Sequence, residues 1–293
     1  MKALMKVSKG KGNIEIRDVE MPKMKNDEVL IEVKYVGICG SDLHIEADEH
    51  PNHPPVILGH EYSGVIKEVG SAVEGWKVGD RVVSELHAGA CHQCVLCKTG
   101  NAFACPSKHP IGWWTNGTYV KYIAISSWLL HQIPDKLSLF NATLTEPLAV
   151  CMNILQRAPV APQSFVAVIG PGPIGILSAL AAKAAGAGKV AIVGRNSSLE
   201  RLKLASELGI DYIINNSVQD VESEIRSLTN GMGADLVIET GGTENSVLDA
   251  IKAVRKLGTI AALGVGKGTY NFPWNDVIFK AINIVFSFSA NYL

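Results

Sequence analysis

Residues 165–194 read FVAVIGPGPIGILSALAAKAAGAGKVAIVG, and this stretch decides the fold. Its first five residues form an apolar run typical of a buried strand, and the Ala-rich segment after Pro173 has the composition of a helix. The glycines between them fit the pattern GxGxxG. Glycine permits both the tight turn and the close approach of a pyrophosphate to a helix N-terminus, so this setting predicts a dinucleotide site. The expected cofactor contacts are Gly170, Gly172, Pro173, Ile174 and Gly175.

The alternation of strand and helix continues after this unit. Further strands are predicted at 189–193, 235–239 and 259–263, and amphipathic helices at 199–208, 218–229 and 244–254. This order predicts a parallel, doubly wound sheet. Residues 1–155 contain short β-like runs punctuated by Gly, Pro and Asp instead. We therefore predict an α/β chain with a β-rich domain over 1–155 and a Rossmann dinucleotide-binding domain over 156–293.

Composition limits the classes of function. The 293 residues carry 27 Lys plus Arg and 28 Asp plus Glu, which gives a net charge of −1, and 47% are hydrophobic. Nucleic acids and anionic membranes both need a clustered positive field, so we expect neither as a partner. The N-terminal residues lack the apolar run of a signal peptide, and no apolar segment is long and unbroken enough to span a bilayer. These features favour a cytoplasmic protein with reduced cysteines.

Cys91, Cys94, Cys97 and Cys105 have the spacing C-x2-C-x2-C-x7-C in a polar loop. Four thiolates so close in sequence can surround one tetrahedral zinc ion, and a shell without an open position is chemically inert. We predict a structural zinc site. An iron–sulfur centre and metal-free cysteines are the alternatives.

A second set of metal-binding residue types is scattered. Cys39 lies in ICGSDLH (38–44), and His60 and Glu61 lie in GHEYSG (59–64). Such residues, when brought together, form a mixed site with room for a substrate at an open position. Taken alone the signal is modest, because a lone cysteine is more often a small buried hydrophobe and a lone histidine more often a hydrogen-bonded structural residue.

Together the motifs resemble the zinc-containing alcohol and polyol dehydrogenases of the medium-chain dehydrogenase/reductase superfamily. The zinc signature G-H-E-x2-G-x5-G-x2-V spans 59–73, Gly79-Asp80 follows it, and TEPLAV occupies 145–150. The resemblance covers essentially the whole chain. It implies a GroES-like, β-rich catalytic domain and a Rossmann domain, with the active site in the cleft between them. Family members normally run several dozen residues further and return to the catalytic domain, a part that we expect this chain to lack.

The resemblance also implies roles for individual residues. Cys39, His60 and Glu146 correspond to the ligands of the catalytic zinc, and Glu61 is either an exchanging ligand or a carboxylate close to the metal. The Glu146-Pro147 pair is similar to the polyol and threonine dehydrogenase branch.

Ser41 stands where the family has a Ser or Thr that passes on the substrate proton. His44 follows three residues later, so on a helical turn it shares a face with Ser41 and can receive that proton. Capping of the helix by Ser41 or Asp42 is the alternative.

The second predicted strand bears on the choice of cofactor. An acidic residue about 20 positions beyond the glycine loop is typical of NAD-specific domains, and here Gly194 occupies that place. Arg195 follows and can pair with a 2′-phosphate, which favours NADP(H). The alternative is a solvated Arg195, with NAD held through Ser or Asn. The resemblance also implies that Arg201 lies near the adenosine ribose and that the nicotinamide side is lined by Leu263, Gly264 and Val265.

We therefore expect a zinc-dependent oxidoreductase with two zinc ions per chain. It transfers a hydride between NAD(P)(H) and a secondary alcohol/ketone pair of a polyol, sugar acid or amino alcohol. L-Threonine 3-dehydrogenase activity and a catalytically silent zinc protein are the alternatives. Trp113 and Trp114 are either a pocket wall or core aromatics. We also expect a homo-oligomer, either a dimer or a tetramer.

Overall fold

The computed structural model describes residues 1–292 and divides the chain into two compact units. Unit 1 comprises Met1–Glu146 together with residues 290–292, and unit 2 comprises Pro147–Ser289. No helix among these described residues combines the length and apolar character that crossing a membrane requires.

Unit 1 is built mainly from antiparallel strands. Its strands are β1 (Lys2–Lys6), β2 (Ile14–Asp18), β3 (Glu28–Val36), β4 (Val56–Ile57), β5 (Tyr62–Val69), β6 (Arg81–Ser84), β7 (Tyr122–Ser126) and β8 (Leu130–Gln132). Its helices are α1 (Gly40–Glu46), α2 (Val95–Lys98) and α3 (Leu139–Ala142), with 3₁₀ turns at Ala102–Ala104 and Ser127–Leu129. The strands form a five-stranded sheet, β7-β3-β5-β6-β8, and a three-stranded sheet, β2-β1-β4. Ile31 and Ile66 lie in the apolar core of this unit.

Unit 2 is a parallel sheet with helices. The chain enters it through α4 (Thr145–Arg157). Its strands are β9 (Phe165–Ile169), β10 (Lys189–Gly194), β11 (Tyr212–Asn215), β12 (Ala234–Glu239), β13 (Val254–Ala262) and β14 (Asn283–Phe286). Its other helices are α5 (Pro173–Ala184), α6 (Leu199–Glu207), α7 (Val221–Leu228), α8 (Glu244–Ala253) and α9 (Trp274–Lys280), with a 3₁₀ turn at Asn196–Ser198.

The sheet of unit 2 is doubly wound. Its order is β11-β10-β9-β12-β13-β14, and all neighbours are parallel. Alternate residues of β9 face opposite sides, because Val166 and Val168 pack in one core cluster and Ala167 and Ile169 in another. The strand order reverses between β9 and β12, and dinucleotides bind at such a switch point, beyond the carboxyl ends of the strands. The predicted doubly wound parallel sheet is confirmed.

Candidate metal and cofactor sites

Cys39, His60 and Glu61 come together in unit 1. Cys39 is the residue before α1, and His60 and Glu61 lead directly into β5. The ligand atoms of all three lie within 4.8 Å of one another. Zinc accepts this combination of sulfur, nitrogen and oxygen donors.

The electrostatics of the group also fit a cation. Burial raises the pKa of the Cys39 thiol to about 12, and the negative charges of Glu61 and Glu146 add to this effect. Burial, with the charges of Glu61 and Asp42, raises the pKa of Glu146 to about 8. Glu146 therefore belongs to the same cluster of charges, although it lies outside the 4.8 Å group. Because metal ligands must be deprotonated, a divalent cation would stabilise the charged forms that burial disfavours here.

Asp42 and Trp113 both lie next to the His60 ring. Asp42 Oδ1 lies 3.9 Å from His60 Nδ1, and Asp42 Oδ2 accepts hydrogen bonds from Tyr119 Oη at 2.6 Å and from the Cys39 N–H at 3.1 Å. The Trp113 ring stacks on His60 with centroids 5.3 Å apart and planes 8° apart. Burial lowers the pKa of His60, which favours the neutral imidazole that binds metals. Sequence reasoning missed the contacts of Asp42 and Tyr119 with this site.

Ser41 and His44 both lie on α1, in different surroundings. The Ser41 hydroxyl is buried and interacts with the Cys39 thiol. The His44 side chain is 54% exposed, and its Nδ1 is 3.3 Å from Glu49 Oε2. Asp42 accepts the capping hydrogen bond at the start of the helix, so the Ser41 hydroxyl is not the cap.

The four-cysteine loop has the dimensions of a metal site. The ligand atoms of Cys91, Cys94, Cys97 and Cys105 lie within 4.8 Å of one another, and all six cysteines of the chain are free. The Cys105 sulfur is 3.6 Å from that of Cys91 and 4.0 Å from that of Cys94. A zinc tetrahedron with bonds of about 2.3 Å separates its sulfur atoms by about 3.8 Å. Backbone hydrogen bonds above all lower the pKa of Cys91 to about 6, which favours the thiolate.

The glycine loop of unit 2 connects β9 to α5. Gly170 has φ +106°, a conformation that strains any residue with a side chain, and a Cβ on Gly175 would lie 1.8 Å from the Gly170 oxygen. Gly172 caps α5 and has open space where a side chain would stand, and Pro173 is the first residue of the helix. A pyrophosphate could therefore approach the backbone closely at this helix N-terminus.

Close packing explains why β10 ends with a glycine. A Cβ on Gly194 would lie 2.6 Å from Pro171 Cγ, so a larger residue requires Pro171 to move. Arg195 and Arg201 are exposed. The intervening loop is held by Asn196, whose N–H donates to Ser217 Oγ at 3.0 Å and whose Oδ1 accepts from Asn215 Nδ2 at 2.7 Å. Sequence reasoning missed this network.

The residues expected on the nicotinamide side follow β13. The N–H groups of Leu263 and Gly264 donate to the Glu239 carbonyl at 2.8 and 3.0 Å. Val265 is 86% exposed.

Comparison with known proteins shows the family of the chain. Residues 25–135 match the alcohol dehydrogenase GroES-like domain, and residues 173–292 match the zinc-binding dehydrogenase family model. Sorbitol dehydrogenase of Halalkalibacterium halodurans is 37% identical over 97% of this chain and 83% of its own length. L-Threonine 3-dehydrogenase of Pyrococcus horikoshii is 36% identical over 97% of this chain and 82% of its own length.

The structural likeness is equally extensive. A zinc-binding dehydrogenase from Sinorhizobium meliloti, solved with NADP bound, superposes with a TM-score of 0.90 and 29% identity, covering 99% of this chain and 85% of its own. The predicted combination of a GroES-like domain with a Rossmann domain is thereby confirmed. This chain belongs to the zinc-dependent alcohol and polyol dehydrogenases of the medium-chain family, oxidoreductases that pair an alcohol and its carbonyl compound with a nicotinamide cofactor.

Proposed function

We propose that this enzyme interconverts a secondary alcohol of a polyol and its ketone, at a zinc ion held by Cys39, His60 and the carboxylates Glu61 and Glu146. The observation that carries the proposal is the partly buried group of Cys39, His60 and Glu61, whose ligand atoms lie within 4.8 Å of one another. Its compactness supports Glu61 as a direct ligand. The four-cysteine loop supports a second, structural zinc.

The side chains near the zinc site have different roles in the reaction. When bound, zinc supplies a Lewis acid that acidifies an alcohol, and the nicotinamide accepts the hydride. The chain must remove the proton. The buried Ser41 hydroxyl, which interacts with the Cys39 thiol, takes up this proton. The half-exposed His44 on the same helix provides an exit to solvent.

A substrate panel tests the function. Zinc-loaded protein is assayed with sorbitol, other polyols, sugar acids and L-threonine, each with NAD⁺ and with NADP⁺. We expect the highest kcat/KM for a polyol. The similarity to an L-threonine 3-dehydrogenase makes L-threonine the second candidate, and a higher value for it would replace our proposal. Zinc-loaded protein that turns over no alcohol would instead support the catalytically silent alternative.

The proposed preference for NADP(H) rests on Arg195, which is exposed at the end of β10 with no carboxylate before it. A charge-assisted hydrogen bond to the 2′-phosphate contributes about 1.5 to 3 kcal/mol. Arg195→Ala should therefore raise the Kd of NADPH about ten- to a hundred-fold and change that of NADH little. Lys203 is an exposed cation on α6, and Lys203→Ala is the control variant.

Arg195→Asp should extend the shift toward NAD(H), because a carboxylate repels the phosphate. It is a cleaner test than Gly194→Asp, whose Cβ would meet Pro171. A wild-type kcat/KM that favours NAD⁺ tenfold or more, or equal weakening of both cofactors by Arg195→Ala, would refute the preference.

A homo-oligomer is supported by the open edge of the parallel sheet. The edge strand β14 pairs only with β13 among the described residues and carries the exposed Phe286, and Phe279 on α9 is also exposed. Apolar strand edges tend to pair with another chain. The molar mass in solution, measured by light scattering, should be a multiple of the chain mass, and the mass of a single chain contradicts this assignment.

A further inference from the structure

Glu239 is a buried carboxylate that the metal sites do not use. It is the last residue of β12, and only 2% of it is exposed. Its Oε1 accepts hydrogen bonds from the N–H groups of Gly241 and Gly242, both at 2.8 Å. Burying a carboxylate is costly, and these two bonds compensate part of that cost by fixing the loop after β12.

The same residue holds the loop after β13. Its carbonyl accepts the N–H groups of Leu263 and Gly264 at 2.8 and 3.0 Å. A Cβ on Gly264 would lie 2.6 Å from Glu239 Oε2 and 2.2 Å from the Gly242 nitrogen. The two loops therefore pack tightly on each other beside this carboxylate, with glycine at the points of contact.

Two hydroxyl groups make further hydrogen bonds in and around these two loops. Thr240 Oγ1 lies 3.0 Å from the carbonyl oxygens of both Ile169 and Gly170, where the glycine loop begins. Tyr270 Oη donates to the Gly242 oxygen at 2.7 Å. The loops that follow β9, β12 and β13 thus form one hydrogen-bonded unit at the carboxyl ends of three adjacent strands.

This unit stands at the switch point of the sheet. A dinucleotide crosses a Rossmann sheet there, with its two halves on opposite sides. The first strand after the glycine loop, β10, lies on one side and takes the adenosine half, so the loops after β12 and β13 face the nicotinamide half. We propose that Glu239 is a positioning residue that pre-forms the nicotinamide side of the cofactor site. The inference rests on the proposed function.

The test separates the two halves of the cofactor. The Kd values of NADH and NADPH are measured by fluorescence titration, and those of ADP-ribose and its 2′-phosphate by calorimetry. Glu239→Ala should weaken the dinucleotides about tenfold or more, equivalent to about 1.4 kcal/mol, and the fragments less than about twofold. Glu239→Gln keeps an acceptor of the same shape and should restore most of the affinity. Glu207 is an exposed carboxylate on α6, and Glu207→Ala should change the Kd of neither the dinucleotides nor the fragments.

Tyr270→Phe provides an independent test, because it removes only the hydroxyl that fixes Gly242. We expect Tyr270→Phe to weaken the dinucleotides more than the fragments, by a smaller factor than Glu239→Ala does. If Glu239→Ala fails to fold, the result for Tyr270→Phe tests the inference. Equal weakening of dinucleotides and fragments, or unchanged dinucleotide binding in both variants, overturns the inference. Wild-type protein that binds neither NADH nor NADPH overturns the proposed function, and this inference with it.

Discussion

Mild chelation is expected to abolish turnover while it removes only one of two zinc ions per chain. The site of Cys39, His60, Glu61 and Glu146 has a single thiol, and Glu61 must exchange with the substrate for a position to open, so a chelator can enter there. The four-cysteine site has no free position, and thiolates bind zinc strongly. Metal content and activity, measured on the same samples during chelation, should therefore fall together and stop at one zinc per chain.

Substitution of a ligand should reproduce this result. His60→Ala should lose one zinc and essentially all turnover, because the remaining donors hold the ion too weakly. His53 is an exposed histidine outside the group of ligand atoms, so His53→Ala should retain both ions and serves as the control. Fully active, undegraded enzyme that contains one zinc per chain would contradict the two-site assignment.

The sequence predicted the Rossmann unit well, because its signals are local. The apolar run at 165–169 ends at a glycine that needs φ +106°, and β9 and α5 follow from that pattern alone. The grouping of Cys39 with His60 was accessible only through the resemblance, since no local rule relates residues on α1 to residues before β5.

Contacts between distant segments set the limit of prediction. Residues 117–125 read as one β-like run, but the strand β7 begins only at Tyr122. Before it, the N–H groups of Gly117 and Thr118 donate to Ile57 and Gly59, and a Cβ on Gly117 would lie 2.2 Å from the Gly59 oxygen. This close packing of two glycine segments competes with the regular sheet, and nothing in either segment alone reveals it.

The same limit applies at the candidate site. Asp42 is in the helical turn where the sequence suggests a cap, and it does accept the Cys39 N–H. Its second role depends on Tyr119, which is far away in sequence and donates to the same carboxylate. Asp42 therefore joins the start of the helix to Tyr119 by hydrogen bonds, and its Oδ1 lies 3.9 Å from His60 Nδ1. A buried carboxylate with several donors is recognised from its partners, and these are known only from the fold.

Replacing Ser41 with alanine is expected to lower kcat about 10²- to 10⁴-fold, the usual contribution of a positioned proton-transfer group. The zinc content and the Kd of the cofactor should not change, because Asp42 already caps the helix and every zinc ligand is kept. Ser41→Thr keeps the hydroxyl and should retain most of the activity. His44→Asn should have a smaller effect on kcat, since His44 is half-exposed and solvent can partly replace it.

Kinetic isotope effects show whether the kcat values of the wild-type enzyme and the Ser41 variants can be compared as rates of the chemical step. If a deuterated alcohol shows that hydride transfer limits the rate, loss of Ser41 must appear in kcat rather than in KM. An unchanged kcat for Ser41→Ala under those conditions leaves Ser41 without a role in proton transfer. An equal loss in Ser41→Thr would show that the packing of α1, and not the hydroxyl, is what the reaction needs. The proton path is thus tested separately from the metal site, because both variants keep every zinc ligand.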